Sequence, residues 1–190
     1  NHDTFYKNTN EVNSVRILSV PDDHFLQIID SPRDITIEDI KFCMVPWICA
    51  DNYDQSLQVI NKSNAEFCCG HFEIEGFSMY RGHQSLEGLS RDLFRKFDYT
   101  FSGHYHHKSS SDGIHYLGNP YELTWSDYND PRGFHIFDTD TRNLEFIQNP
   151  NKMFERIVYD DSRETMVDAD WDGYKDKYIN CLLYTSDAAD

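Results

Sequence analysis

Two short segments pair a glycine with histidine directly after an apolar run. Gly70-His71 follows Phe67-Cys68-Cys69, and Gly103-His104-Tyr105-His106-His107 follows Tyr99-Thr100-Phe101-Ser102. Both groups fall where a buried strand is expected to end and a loop to begin, the place where an α/β fold builds its site. In extended chain, residues two apart share a side. His104 and His106 are therefore expected to face one cavity, with Tyr105 turned away. The chain opens on Asn1-His2-Asp3, a third group of metal-ligand types. Imidazoles converging with a carboxamide or carboxylate suit a first-row transition metal.

The elements that must position these groups read as alternating strands and helices, which argues for α/β layers. Residues 10–19 are expected to be helical or mixed. Residues 25–29, 35–37, 40–45, 65–69, 98–102 and 114–117 read as strands, with the segment 40–45 stopped by Pro46. Leu57 and Ile60 fall at helical spacing, with Asp54 as the expected cap. Ser90 is expected to cap a helix that presents Leu93, Phe94 and Phe97 on one side. Residues 109–113 read as a loop. Residues 134–137 and 144–147 flank a turn and predict a hairpin, and residues 153–160 predict a further strand.

Composition sets limits. The 190 residues, 39% hydrophobic and 15% aromatic, are enough for a real core. No apolar run reaches membrane-spanning length. The five cysteines fit buried thiols in a reducing cytoplasm better than a disulfide framework. A net charge of −16 argues against a generic DNA-coating surface. It leaves a nuclease possible, because bound divalent cations supply local positive charge.

The order Asn-His-Asp, Gly-His, Gly-His-x-His resembles the second half of the calcineurin-like metallophosphoesterase signature. The stretch from Cys69 to Asp138 is similar to one branch of it, the SbcD-type recombination nucleases, including phage-encoded members. The matching blocks are Gly70 to Glu73, Arg81 to Gln84, Ser102 to His106, Gly118 to Trp125 and Asn129 to Phe134. The resemblance implies an α/β fold, a metallophosphoesterase-type layered β-sandwich flanked by helices. It implies a DNA exo- and endonuclease acting in recombination, repair and replication with two divalent metals, Mn2+ or Mg2+. Asn1, His71 and His104 would hold one metal and His106 the other. His2 would stand beside the scissile phosphate, oriented by Asp3. The implied partners are DNA, an SbcC-type coiled-coil ATPase and a second copy, in the cytoplasm of a bacterial or phage-infected host cell and away from any membrane.

The family's first two motifs, Asp-x-His and Gly-Asp-x-x-Asp, find no match in this chain. Residues 1–150 are accordingly expected to be the C-terminal part of a nuclease domain truncated at its N-terminus, inactive on its own. Residues 151–180 would begin a capping domain that contacts DNA. Residues 181–190 resemble the translation of a sequencing adapter and are expected to be an artefact without a role in the fold. Two other functions fit the same residues: a phosphatase or small-molecule phosphodiesterase, and a non-catalytic metal-binding module such as a zinc site using Cys68 or Cys69. Arg132 is read either as a phosphate contact or as the partner of nearby acids. His24, His115 and His135 are read as ordinary surface or core residues, His83 either so or as a residue approaching substrate, and His107 as an exposed residue or one outside the ligand shell.

Overall fold

The computed structural model describes residues 3–18, 26–80, 83–160 and 171–184, and the chain divides into two compact units, residues 1–118 and 119–190. The first unit is organised by strands that the apolar runs dictate. β1 (Arg33–Ile37) and β2 (Ile40–Val45) form an antiparallel hairpin, and β2 then pairs in parallel with β3 (Phe67–Gly70). A small hairpin of β4 (Ser78–Tyr80) and β5 (His83–Gln84) comes next in the chain. β6 (Tyr99–Ser102) lies parallel to β3 on one side and to β8 (Ile114–Tyr116) on the other. β7 (Ser109–Ser111) closes the edge antiparallel to β8, so the six-stranded order is β1-β2-β3-β6-β8-β7. Of the four interior strands, β2, β3 and β6 are rich in apolar residues, as strands covered on both faces are.

One face of this sheet carries Cys43, Val45, Cys68, Ile114 and Tyr116 into the core. Helix α1 (Tyr53–Lys62) packs there through Ile60, and the 3-10 turn Arg91–Phe94 through Phe94. The opposite face bears a ladder of rings, Phe42, Phe67, Tyr99 and His115, with successive centroids 5.3, 6.4 and 5.1 Å apart. His115 is thus a stacking residue of the sheet.

In the second unit, β9 (Gly133–Phe137) and β10 (Leu144–Gln148) form the expected hairpin. β11 (Phe154–Asp160) pairs in parallel with β12 (Tyr178–Tyr184). Residues 181–184 therefore join a strand, although Leu182 and Leu183 keep 44% and 68% of their surface exposed. Pro150 lies inside this unit.

Several local expectations are corrected. Residues 26–30 are irregular rather than a strand: Arg33 donates to the Ile28 carbonyl, and no strand partner is present for this stretch among the described residues. The 10–19 segment contains a 3-10 turn at Ser14–Leu18. Ser90 does act as a cap, its hydroxyl accepting from the Asp92 amide, but the element it caps is a 3-10 turn and not a full helix. The residue at the start of α1 is Asn52, not Asp54. The Asn52 side chain binds the preceding loop instead, accepting from Cys49 N–H and donating to the Trp47 carbonyl. Ser109–Ser111 is a strand, because the Asp112-Gly113 turn, with φ of 51° and 77°, folds it back onto β8.

Candidate active site

The ends of the parallel strands are level. Val45 pairs with Gly70, Gly70 with Ser102, and Ser102 with Tyr116, so the loops after β2, β3, β6 and β8 leave one edge of the sheet together. His71 follows β3 directly, and His104 follows β6 after Gly103. Their rings stand edge to face with centroids 4.8 Å apart. His71 Nε2 and His104 Nδ1 are both shielded from solvent.

Buried hydroxyls hold this arrangement. The Ser102 hydroxyl accepts from the Phe72 amide and donates to the Phe72 carbonyl, both at 3.0 Å, and the same oxygen accepts from His104 N–H at 3.4 Å. The Tyr116 hydroxyl donates to the Phe72 carbonyl at 2.9 Å and accepts from Ile74 N–H. The Phe72 N–H and carbonyl and the Ile74 N–H are thus satisfied by side chains from β6 and β8, which fixes the loop that presents His71. Burial pushes the Tyr116 and Tyr105 phenols above their ordinary range, so both remain protonated.

Two close approaches demand glycine. A Cβ on Gly70 would stand 2.5 Å from the Val45 carbonyl and collide with the Phe72 ring. Gly118 has φ +73°, and a Cβ there would crowd the His106 carbonyl at 3.0 Å.

His71 and His104 line a cavity of about 330 Å3 together with Trp47, Tyr53, Glu73 and Leu89. Tyr105 is buried among the core residues, as the alternation predicts. His106 is half-buried, its carbonyl against Gly118 just past β8, and is not one of the residues lining this cavity. Asn1 and His2 lie outside the described residues. Asp3 is described: its carboxylate accepts from the Ser14 hydroxyl and its carbonyl from Ser14 N–H. Its segment docks beside the cavity, since Asn10 donates to the Trp47 carbonyl and Asp51 N–H donates to the Asn8 carbonyl.

Two imidazoles whose rings nearly touch supply two neutral nitrogen donors, so the pair fits part of the shell of a divalent transition metal. Among the described residues no larger group of His, Cys, Asp or Glu gathers around them. Of the cysteines of the alternative zinc reading, Cys68 is hydrogen-bonded to Cys43. The Cys68 thiol is pushed up by its hydrogen bond with Cys43 and by burial, and burial raises Cys69 to about 11.

Of the other three matching blocks, Asn129 to Phe134 and, from Asn119 onward, Gly118 to Trp125 lie in the second unit and close on themselves. Arg132 is buried and pairs with Asp127 at 2.7 Å and Asp130 at 2.8 Å. The second oxygen of Asp127 accepts from the Leu123 and Thr124 amides. Glu122, also buried, accepts from the Met153 and Phe154 amides. Arg132 is thus the partner of acids, the structural of its two readings.

Trp47, Tyr53 and Glu73 line the cavity without having stood out as site residues in the sequence. A signal was available for Trp47: Pro46-Trp47 ends an apolar strand just as the two Gly-His groups do.

No family model matches the chain. Its curated relatives define the class. It is 28% identical over 98 residues to the SbcD subunit of nuclease SbcCD from Staphylococcus epidermidis, covering 48% of this chain and 26% of that protein. It is 25% identical over 138 residues to the same protein of Staphylococcus saprophyticus, covering 66% and 36%. The chain is a homologue of SbcD-type nuclease subunits. Within that class it is 37% identical over 159 residues to exonuclease subunit 1 of Enterobacteria phage T4, covering 84% of this chain and 46% of the relative. The chain thus spans less than half the length of the curated relatives it matches.

Proposed function

We propose that the chain is part of the metal-dependent nuclease subunit of a recombination and repair complex, hydrolysing DNA phosphodiester bonds at ends and in single strands. The observation that carries this is the edge-to-face pair of His71 and His104 at the level ends of adjacent parallel strands, in a homologue of exonuclease subunit 1. His71 and His104, with Asn1, would hold one divalent ion, and His106 a second; manganese or magnesium is the expected metal. When bound, such a pair acidifies a water and neutralises phosphate charge. The chain's own contribution is placement. The Ser102 and Tyr116 hydroxyls hold the His71 loop, and the apolar cavity wall limits water around the reacting phosphate. His2, oriented by Asp3, would protonate the leaving oxygen.

The fold would be the metallophosphoesterase-type layered sandwich, with residues 1–150 in the nuclease domain, 151–180 opening a DNA-contacting domain and 181–190 an adapter-derived tail whose first four residues pair with β11. The partners would be DNA, an SbcC-type ATPase and a second copy, in the cytoplasm. Among the described residues no helix is long and apolar enough to cross a membrane. The similarity to nuclease subunits favours DNA over the small phosphate esters that the same chemistry would cleave.

The test is manganese-dependent degradation of linear duplex DNA by the full-length protein with its ATPase partner. His104→Ala should lose more than the roughly 10- to 100-fold that removing a ligand-orienting neighbour costs. Undiminished degradation by that variant, or none by the wild type, would reject the reading.

A further inference from the structure

The cavity beside His71 and His104 has a second wall that metal chemistry does not use. Trp47, Ile48, Tyr53, Phe72 and Leu89 make this side apolar and largely aromatic. Trp47 is held unusually firmly. Its carbonyl accepts from Asn10 Nδ2 at 2.8 Å and from Asn52 Nδ2 at 3.0 Å, and the other end of the Asn52 amide accepts from Cys49 N–H at 2.8 Å. Two side chains, Asn10 and Asn52, thus fix the backbone of one residue, while the indole stays half-buried at the cavity. Tyr53, at the start of α1, keeps 47% of its surface exposed beside it.

We propose that Trp47, flanked by Tyr53, is a stacking platform for the base of a single unpaired nucleotide whose phosphate lies at His71 and His104. This rests on the nuclease reading and specifies the form in which DNA enters. A cavity of about 330 Å3 is at the lower end of the range that holds one small ligand. It cannot admit a duplex, whose major groove alone is roughly 12 Å wide. The nucleotide beside the scissile bond must therefore leave its stack, and a fixed aromatic face offsets the lost stacking without reading base identity. Among the described residues Glu73 is the one carboxylate of the lining. The apolar side is left to the base.

The test uses the full-length protein and oligodeoxythymidine strands, intact or with one abasic residue at the cleaved position. Binding is followed by tryptophan fluorescence with calcium in place of manganese, and the signal lost in Trp47→Phe is assigned to Trp47. Intact strands should quench Trp47 and abasic strands should not. With manganese, the wild type should cleave the intact strand roughly 5- to 150-fold faster than the abasic one. Trp47→Ala should remove that preference, and Trp47→Phe should restore most of it. A Trp47→Ala protein with the wild-type preference, or a Trp47 signal indifferent to the base, overturns the platform while leaving the nuclease reading intact. Base-dependent quenching without cleavage does the reverse. A wild type that neither binds nor cleaves overturns both.

Discussion

The loops after β3 and β6 and the segment from Asn119 to Phe134 hold the same kinds of residue: glycines at tight approaches, polar side chains, aromatics. They use them in opposite ways. In the first, uncharged hydroxyls from Ser102 and Tyr116 satisfy the backbone, and the imidazoles are presented to a cavity. In the second, the charged groups consume each other: Asp127 joins Arg132 to two amides, and Glu122 ties the segment to β11. Both blocks look functional as sequence. The difference is whether the polar residues face backbone and one another, or leave a neighbouring ring aimed at open space.

The largest effect is expected where charge is buried. Asp127→Ala strips Arg132 of its shortest ion pair and frees two amides, which should cost about 3–5 kcal/mol, read by denaturant unfolding. The His71–His104 geometry should be unaffected, because the partners of Asp127 are Leu123, Thr124 and Arg132. Equal losses of stability and of metal affinity would break the contrast. Ser102→Ala should cost less, about 1–3 kcal/mol for the buried Phe72 N–H left unsatisfied, yet should weaken metal binding in calorimetric titration. Ser102→Ala and Tyr116→Phe should be non-additive, since both hydroxyls donate to the Phe72 carbonyl.

A smaller effect concerns the hairpin between β1 and β2. Glu38 and Asp39 sit at φ 47° and 69°, a left-handed turn made without glycine. Replacing the pair with Asn-Gly should stabilise by up to about 1 kcal/mol, seen as a raised midpoint of unfolding. The smallest effect is a contrast in thiol chemistry. Burial holds Cys69 to about 11, above its ordinary 9.0, so the neutral thiol predominates at pH 8. That contribution to stability is complete below about pH 9 and is lost as pH rises through 11. Exposed Cys181 should react with a disulfide reagent at pH 8, and Cys43, Cys68 and Cys69 only on unfolding. Rapid labelling of Cys69 would show that the sheet opens around β3.

The strands bearing His71 and His104 were legible because each ends an apolar run on a Gly-His pair, and the hairpin at residues 134–147 because its turn residues separate two apolar stretches. Ser109–Ser111 was not legible: nothing in three serines favours a strand until the Asp112-Gly113 turn lays them on β8. Residues 26–29 erred the other way, since an apolar run says nothing of whether a strand lies within reach. The role of Ser102 was equally hidden, as it bonds a residue 30 positions earlier in the chain. Arg132 could be narrowed only to two roles, because a sequence does not show which of many acids comes closest.

The separation of the two imidazoles, 4.8 Å, matches the spacing of neighbouring strands, about 4.7–4.9 Å. The separation of the ring centroids is then on the scale of the sheet's own repeat. A backbone ruler of this kind is portable. Two adjacent parallel strands that end level, one continuing Gly-His and the other Ser-Gly-His, with a tyrosine on the next strand, form a short cassette that a designer could set into an unrelated parallel sheet. The recipient would inherit the spacing without any redesign of its core.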